Sequence, residues 1–309
     1  MFYSQQKISQ RSFLLLFKYI NYYNEYGVIN MINWYPGHMA KTKRLVREEL
    51  KFIDIVFVLL DARVPYSSMI NDLDDIINNK PKLFIMTKYD LCDKDITDKW
   101  LNEYKKDNSI IKVDLLLGKG IDNILVESKK ILENFNIKRE KRGMKTRKIR
   151  ALIIGVPNVG KSTLINKLVG RKSTEVGNKP GVTKNNRWVR INDDLELLDT
   201  PGILWPKFKN EEIGYNLAST SAIKEEILPK DDVAIYILKK IDKYYKGRLE
   251  ERYGIDNIDF DDIESIYETI GRKRGALIKG NEVDFDKVTN IIIRDLRDGH
   301  LGTFTFDRK

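Results

Sequence analysis

The chain has 309 residues, enough for two ordinary domains with buried cores, and its 42% apolar and 32% charged composition is that of a folded rather than a disordered protein. The balance of 55 basic against 45 acidic side chains leaves a net charge of +10, which favours a polyanionic partner such as nucleic acid or the ribosome through counterion release. The single cysteine, Cys92, excludes an internal disulfide, and with only His38 and His300 beside it the sequence offers no zinc-ligand cluster. A reducing, intracellular compartment is therefore expected, with Cys92 a small core residue beside a loop. No apolar run approaches the roughly 20 residues of a membrane-spanning helix. The longest near the start is FLLLF, Phe13–Phe17.

Residues 1–30 carry Lys7, Arg11 and Lys18 against Glu25. They resemble a weak transit peptide but lack its arginine richness and a small-residue cleavage site. The expectation is an appended leader with Met31 as the true start. A bacterial cytoplasm is the expected location, with the mitochondrial matrix the alternative if the leader is a transit peptide. Next comes HMAKTKRLVREELKFI, a basic amphipathic segment. DIVFVLLDARVP then supplies an uninterrupted apolar run ending at Asp61, the pattern of a parallel strand buried on both faces. KLFIMTKYD gives a second strand and SIIKVDLLLGKGI a third, separated by helical stretches such as SMINDLDDIINN. This alternation predicts an α/β fold with a mostly parallel sheet and helices on both faces.

Between Asn136 and Arg150, NIKREKRGMKTRKIR holds eight basic residues against Glu140 and has no clear hydrophobic period. It reads as a solvated linker, a contact for RNA phosphates, or both. IRALIIGV opens another strand. The strongest signal follows: LIIGVPNVGKSTLINKL places Gly155, Gly160, Lys161 and Ser162 at Walker A spacing, after an apolar strand and before an amphipathic helix. Glycines let backbone N–H groups turn inward, so Asn158, Val159, Gly160, Lys161, Ser162 and Thr163 are expected to cradle phosphates at a helix N-terminus. Lys161 should stabilise charge on the β and γ phosphates, and the Ser162 hydroxyl should ligate magnesium.

Downstream, NKPGVTKNNRW reads as a flexible loop whose Thr183 offers its hydroxyl to magnesium only when triphosphate is present, an order–disorder switch. LELLDTPGI is a strand that delivers Asp199 to magnesium, with Gly202 free to bring its N–H to the γ-phosphate. The base-reading loop that should accompany these motifs must follow a strand of the same sheet. Only TKYD, Thr87 to Asp90, fits, although it lies upstream of the phosphate loop. The Asp90 carboxylate can accept two hydrogen bonds from guanine's imino and amino groups and would repel adenine's ring-nitrogen lone pair. Lys88 would lay its stem along the base.

From about Glu211 the pattern turns helical, in SAIKEEI, VAIYILKKIDKYYKGRLEERYGI and DFDKVTNIIIRDLRDG. In the last, Phe285, Val288, Ile292 and Leu296 recur at spacings of three and four, an apolar helix face, while Arg294 and Arg297 share another.

The set WYPGHMAK, DARVP, TKYD, GVPNVGKST, PGVT and DTPGI, in that order, resembles the circularly permuted GTPases, and specifically the ribosome biogenesis GTPase A family of bacteria and its mitochondrial counterparts. The likeness runs from Met31 to about Thr305. It implies a circularly permuted P-loop GTPase domain over 31–208 and a helical RNA- and ribosome-binding domain over 209–309. It also implies GTP hydrolysis coupled to late maturation of the large ribosomal subunit, a contact with its rRNA, and departure after hydrolysis. The protein would be a monomer off the ribosome, with no DNA partner. Similar proteins carry a hydrophobic residue where many GTPases have a water-orienting glutamine, and Ile203 stands there. By the same resemblance, Asn158 ligates a potassium ion bridging the phosphates, and His38 acts on the attacking water once the ribosome orders the N-terminal segment. Thr87 departs from the family's usual asparagine, and Asp114 to Leu116 stand where a Ser-Ala pair usually contacts the base.

Two other classes compete with a GTPase switch. An RNA-binding module with a vestigial nucleotide site would suit Ile203 and Thr87, but not the intact Lys161, Ser162, Thr183 and Asp199. A P-loop small-molecule kinase would leave TKYD without a role.

Overall fold

In the computed structural model, residues 47–70, 73–141, 143, 147–170, 187–199, 210–223, 228–255 and 258–309 are described. Among these residues six strands form one sheet in the order β3-β2-β1-β4-β6-β5. They are β1 (Ile55–Asp61), β2 (Lys82–Thr87), β3 (Ile110–Lys112), β4 (Ile149–Gly155), β5 (Arg187–Arg190) and β6 (Leu195–Asp199). All neighbours pair in parallel except β5 with β6, which are antiparallel. Every residue of β1 is buried. The reason is its central place, with β2 and β4 bonded along its two edges. The strand period of two divides its side chains between the faces. Ile55, Phe57 and Leu59 join one core with Leu83 and Ile85, while Val56, Val58 and Leu60 join a second with Phe84 and Met86. Each such side chain contributes roughly 1.5–3 kcal/mol by leaving water.

Helices α1 (Leu73–Ile77), α2 (Lys94–Tyr104), α3 (Asp122–Ile131), α4 (Glu133–Glu140) and α5 (Lys161–Gly170) belong to the sheet layer. Cys92 is buried in the second core, where loss of water pushes its thiol up to about 11, so it stays protonated and inert.

The helical region comprises α6 (Glu211–Ser219), α7 (Lys230–Tyr244), α8 (Arg248–Tyr253), α9 (Ile263–Arg274) and α10 (Phe285–Arg297). Their starts are written in the sequence: Asn210, Asp262 and Asp284 cap α6, α9 and α10 by accepting hydrogen bonds from Ile213, Ser265 and Lys287 N–H. The expected apolar face of α10 is in the core, with Val288, Ile292 and Leu296 buried and Phe285 packed against them. Of the two arginines, Arg294 is exposed, whereas Arg297 Nη2 donates to Ala218 O at 2.9 Å and caps the end of α6. Asp295 is buried and grips Arg252 through two hydrogen bonds of 2.7 Å, with the Tyr253 hydroxyl donating at 3.0 Å.

The last residues return to the sheet. Phe304 N donates to Leu91 O at 3.2 Å and Phe306 N to Arg63 O at 2.9 Å. The Asp307 carboxylate accepts from Ser67 N, Ser67 Oγ and Asn216 Nδ2 at 2.8, 2.6 and 2.9 Å. Asn216 Oδ1 in turn accepts from the Tyr236 hydroxyl at 2.7 Å, so this strap ties the sheet to α6 and α7.

Four local expectations change. The charged stretch after Asn136 is not wholly irregular, because α4 runs through Glu140. Ser221 to Ile223 do not form helix: Ser221 is left-handed at φ 64°, and Ser221 N and Ala222 N bond back to Ala218 O and Leu217 O, closing α6 in a Schellman-type cap. The stretch from Val233 to Ile255 is two helices, broken where Gly247 takes φ 83°. The end of NKPGVTKNNRW belongs to a strand, β5, whose pairing with β6 supplies the order that its own sequence lacks. No helix among the described residues is long and apolar enough to cross a membrane.

Candidate nucleotide site

The phosphate loop lies between β4 and α5, at the carboxyl ends of parallel strands, where open α/β sheets place ligands. Asn158 is left-handed at φ 56° and Gly160 takes φ 108°. Leu115 Cδ1 would lie 2.8 Å from a Cβ at Gly160, a side-chain tip that can give way, so it is the backbone conformation that requires glycine here. Lys161 opens α5 and is buried, its ammonium donating to Gly155 O at 3.0 Å and Val156 O at 2.9 Å. It is thus held across the loop, with carbonyl partners that phosphate oxygens can replace. Ser162 and Thr163 sit exposed in the first turn of α5, where backbone N–H groups have no helical partner. Asn158 Nδ2 donates to Ser221 O at 2.7 Å, which ties the phosphate loop to the end of α6.

The TKYD loop is brought to this same place. Thr87 ends β2, one strand removed from β4 across β1. Its hydroxyl lies 2.6 Å from Val159 O and 3.0 Å from Leu60 O. Lys88, left-handed at φ 57°, donates from Nζ to Asn158 O at 2.7 Å and to Asp61 Oδ2 at 2.9 Å. Two residues of the base-reading candidate therefore bond directly to two carbonyls of the phosphate loop, though they precede it by about 70 positions. Thr87 occupies the position of the expected asparagine, and its hydroxyl supplies a brace to the loop in place of an amide. Asp90 is half-buried in the turn that follows.

After β3, Asp114 Oδ1 accepts from Leu116 N at 2.8 Å and Leu117 N at 2.9 Å. Leu115 packs beside Gly160, while Leu116 and Leu117 are 73% and 68% exposed. Asp114 therefore shapes this loop from within.

Sequence reasoning assigned no role to Asp61 and Arg63 of DARVP. Both are buried, at 2% and 3% exposure. Arg63 grips Asp61 through Nε at 3.0 Å and Nη2 at 2.8 Å, and Lys88 adds a third charged donor. Burial alone would raise the Asp61 pKa; the Arg63 and Lys88 charges outweigh it and hold the carboxyl well below the usual range. The signal that was available is an acid closing a fully apolar strand two residues before an arginine.

The expected roles of His38, Thr183, Gly202 and Ile203 fall outside the described residues. The backbone of Asp199 ends β6, which pairs with β4 beside the phosphate loop, while its side chain lies outside the description.

A family profile described as "50S ribosome-binding GTPase" matches residues 150–269. The chain is 47% identical over 278 residues to the ribosome biogenesis GTPase A of Priestia megaterium, covering 89% of this chain and 96% of that one. It is 44% identical over 279 residues to the protein of that name from Bacillus licheniformis, covering 90% and 98%. The crystal structure of GNP-bound YlqF from T. maritima superposes with a TM-score of 0.61 at 25% identity, covering 87% of this chain and 98% of that one. With the permuted motif order and the two loops bonded to one another, these likenesses identify the chain as a circularly permuted GTPase of the ribosome biogenesis GTPase A family.

Proposed function

We propose that this GTPase binds GTP between the TKYD and phosphate loops, and that it acts as an assembly factor on the large ribosomal subunit. It contacts rRNA, promotes late maturation and leaves after hydrolysis. The observation that carries this reading is the pair of hydrogen bonds from Thr87 and Lys88 to Val159 O and Asn158 O, since contact between these two loops supports a guanine reader beside a phosphate cradle. The names of the relatives and the net charge of +10 support the ribosomal partner. A cytoplasmic location accords with the bacterial relatives.

In this reading Asp90 accepts two hydrogen bonds from guanine, and the Lys88 stem lies along the base while its ammonium stays on Asn158 O. Lys161 exchanges Gly155 O and Val156 O for phosphate oxygens and stabilises charge as the γ-phosphoryl leaves. Ser162, Thr183 and Asp199 would supply the oxygen donors that magnesium takes, and the paired strands β4 and β6 end on Gly155 and Asp199. When bound, the ion neutralises charge on the β and γ phosphates. Asn158 is the assigned potassium ligand through its carbonyl oxygen, the amide nitrogen being engaged by Ser221 O. Ile203 cannot orient water by hydrogen bonding. We assign that task to His38 on the ribosome.

The test is phosphate release from GTP by the full chain, with and without large subunits, in potassium or sodium buffer. Stimulation by subunits and by potassium is the expected result. No turnover under any condition would instead leave an RNA-binding module with a vestigial nucleotide site.

A further inference from the structure

The Asp61–Arg63 pair faces two ways. Toward the nucleotide site, Asp61 Oδ2 holds Lys88 Nζ at 2.9 Å, and that ammonium reaches Asn158 O. Toward the helical region, the Arg63 carbonyl accepts from Phe306 N at 2.9 Å and its guanidinium lies 5.6 Å from the centre of the Phe304 ring. Phe304 and Phe306 are buried, and Asp307 anchors the same segment to Ser67 and Asn216. The strap thus closes over the arginine that orients Asp61, and Asp61 orients Lys88.

We propose that Asp61 and Arg63 are positioning residues for Lys88, and that the C-terminal strap completes that positioning, so guanine-nucleotide affinity depends on the docked helical region. This rests on the assignment of Lys88 and Asp90 as base readers. The physical argument is one of rotamer freedom. A lysine stem has four rotatable bonds, and pinning its ammonium at two acceptors removes that freedom before the base arrives. Asp61 can serve as an acceptor there only while Arg63 fixes both of its oxygens, because a buried carboxylate without partners is costly. The Phe304 ring covers the guanidinium of that pair. By linkage, anything that tightens Lys88 on a base tightens the strap to the same degree. The coupling acts through the base, so GDP and GTP engage it equally, in contrast to a switch that senses the γ-phosphate.

The wild-type full chain supplies a test that needs no substitution. Hydrogen exchange at the amides of Phe304 and Phe306 should slow when GDP is added. Unchanged exchange at saturating GDP would overturn the proposal.

Three variants test it further. R63K keeps a buried cation but loses the two-pronged grip, and it should weaken GDP and GTP alike by about tenfold. The loss should fall on KM, with intrinsic kcat within about twofold. In a K88A background, R63K should cost nothing further, because the arginine acts through the lysine. Unchanged affinity in R63K, or losses that add in the double variant, would show a role in folding alone. D90N, measured alongside, reports on the underlying assignment by shifting preference from GDP toward XDP. If D90N leaves selectivity unaltered, the base-reading assignment falls. If it switches selectivity while R63K and the exchange rates do not respond, the positioning proposal alone falls.

Discussion

Replacing Thr87 with valine isolates one interaction at the centre of the site. Thr87 is fully buried, and its hydroxyl stands 2.6 Å from Val159 O and 3.0 Å from Leu60 O. One hydroxyl hydrogen serves one acceptor at a time, and the shorter distance assigns it to Val159 O. Valine keeps the branched shape but sets a methyl against both carbonyls, so packing changes little while a buried acceptor loses its donor. Such a loss costs about 1–3 kcal/mol. Denaturant unfolding of the full chain should show that deficit as a lower midpoint at an unchanged slope. The part of it that holds the phosphate loop should appear as weaker GDP binding in a fluorescent-nucleotide titration, tenfold for every 1.4 kcal/mol or so. Thr87→Ser, which keeps the hydroxyl, should bind GDP better than the valine variant. A valine variant with the parent's midpoint and GDP affinity would show that the brace between the two loops carries no energy.

Other perturbations address separate links. Lys161→Ala should abolish nucleotide-dependent association with large subunits without unfolding the chain, and retained association would remove Lys161 from the site. Asp295→Asn should lower stability by about 1.5–3 kcal/mol, because half-buried Arg252 loses a charged partner for its two hydrogen bonds; an unchanged unfolding midpoint would count against that pair. Acid stability follows from signs. Arg63 and Lys88 overcome burial at Asp61, and Arg252 and Tyr253 overcome it at Asp295, so both folded pKa values lie below the unfolded value of about 3.9. Their stabilisation is present above that pH and is lost as pH falls below it. Asp307, raised by burial, works in the opposite direction and gains as it protonates. Unfolding midpoints between pH 6 and 3 should therefore drop at the acid end in the parent and less steeply in Asp295→Asn; equal slopes would contradict the assignment.

The parallel strands were legible because each is a short apolar run bounded by polar residues, as in Ile55–Asp61 and Ile149–Gly155. The phosphate loop was legible because its chemistry fixes residue types at fixed spacing. The placement of TKYD beside the phosphate loop was legible through a constraint, that a base-reading loop must follow a strand of the same sheet, and β2 lies one strand from β4 across β1. Strand β5 was hidden because RWVR is four residues long, half of them arginine, and owes its extended form to β6. Helix α4 was hidden by its charge, which offers too few apolar residues to show a period. The Asp61–Arg63 pair was quoted without a role because its meaning lies in Lys88, 27 positions on, and in Phe306 at the far end of the chain. Tertiary contacts of that kind leave no local pattern. The brace made by Thr87 was missed for the same reason, since the value of its hydroxyl depends on Val159 O lying 2.6 Å away.

In the proposed function the nucleotide held between these two loops sets the protein's hold on the ribosome. Co-sedimentation of the full chain with large ribosomal subunits, in a non-hydrolysable GTP analogue, in GDP and without nucleotide, measures it directly. Retention with the analogue and release with GDP are the expected results. Equal association in all three conditions would contradict this dependence.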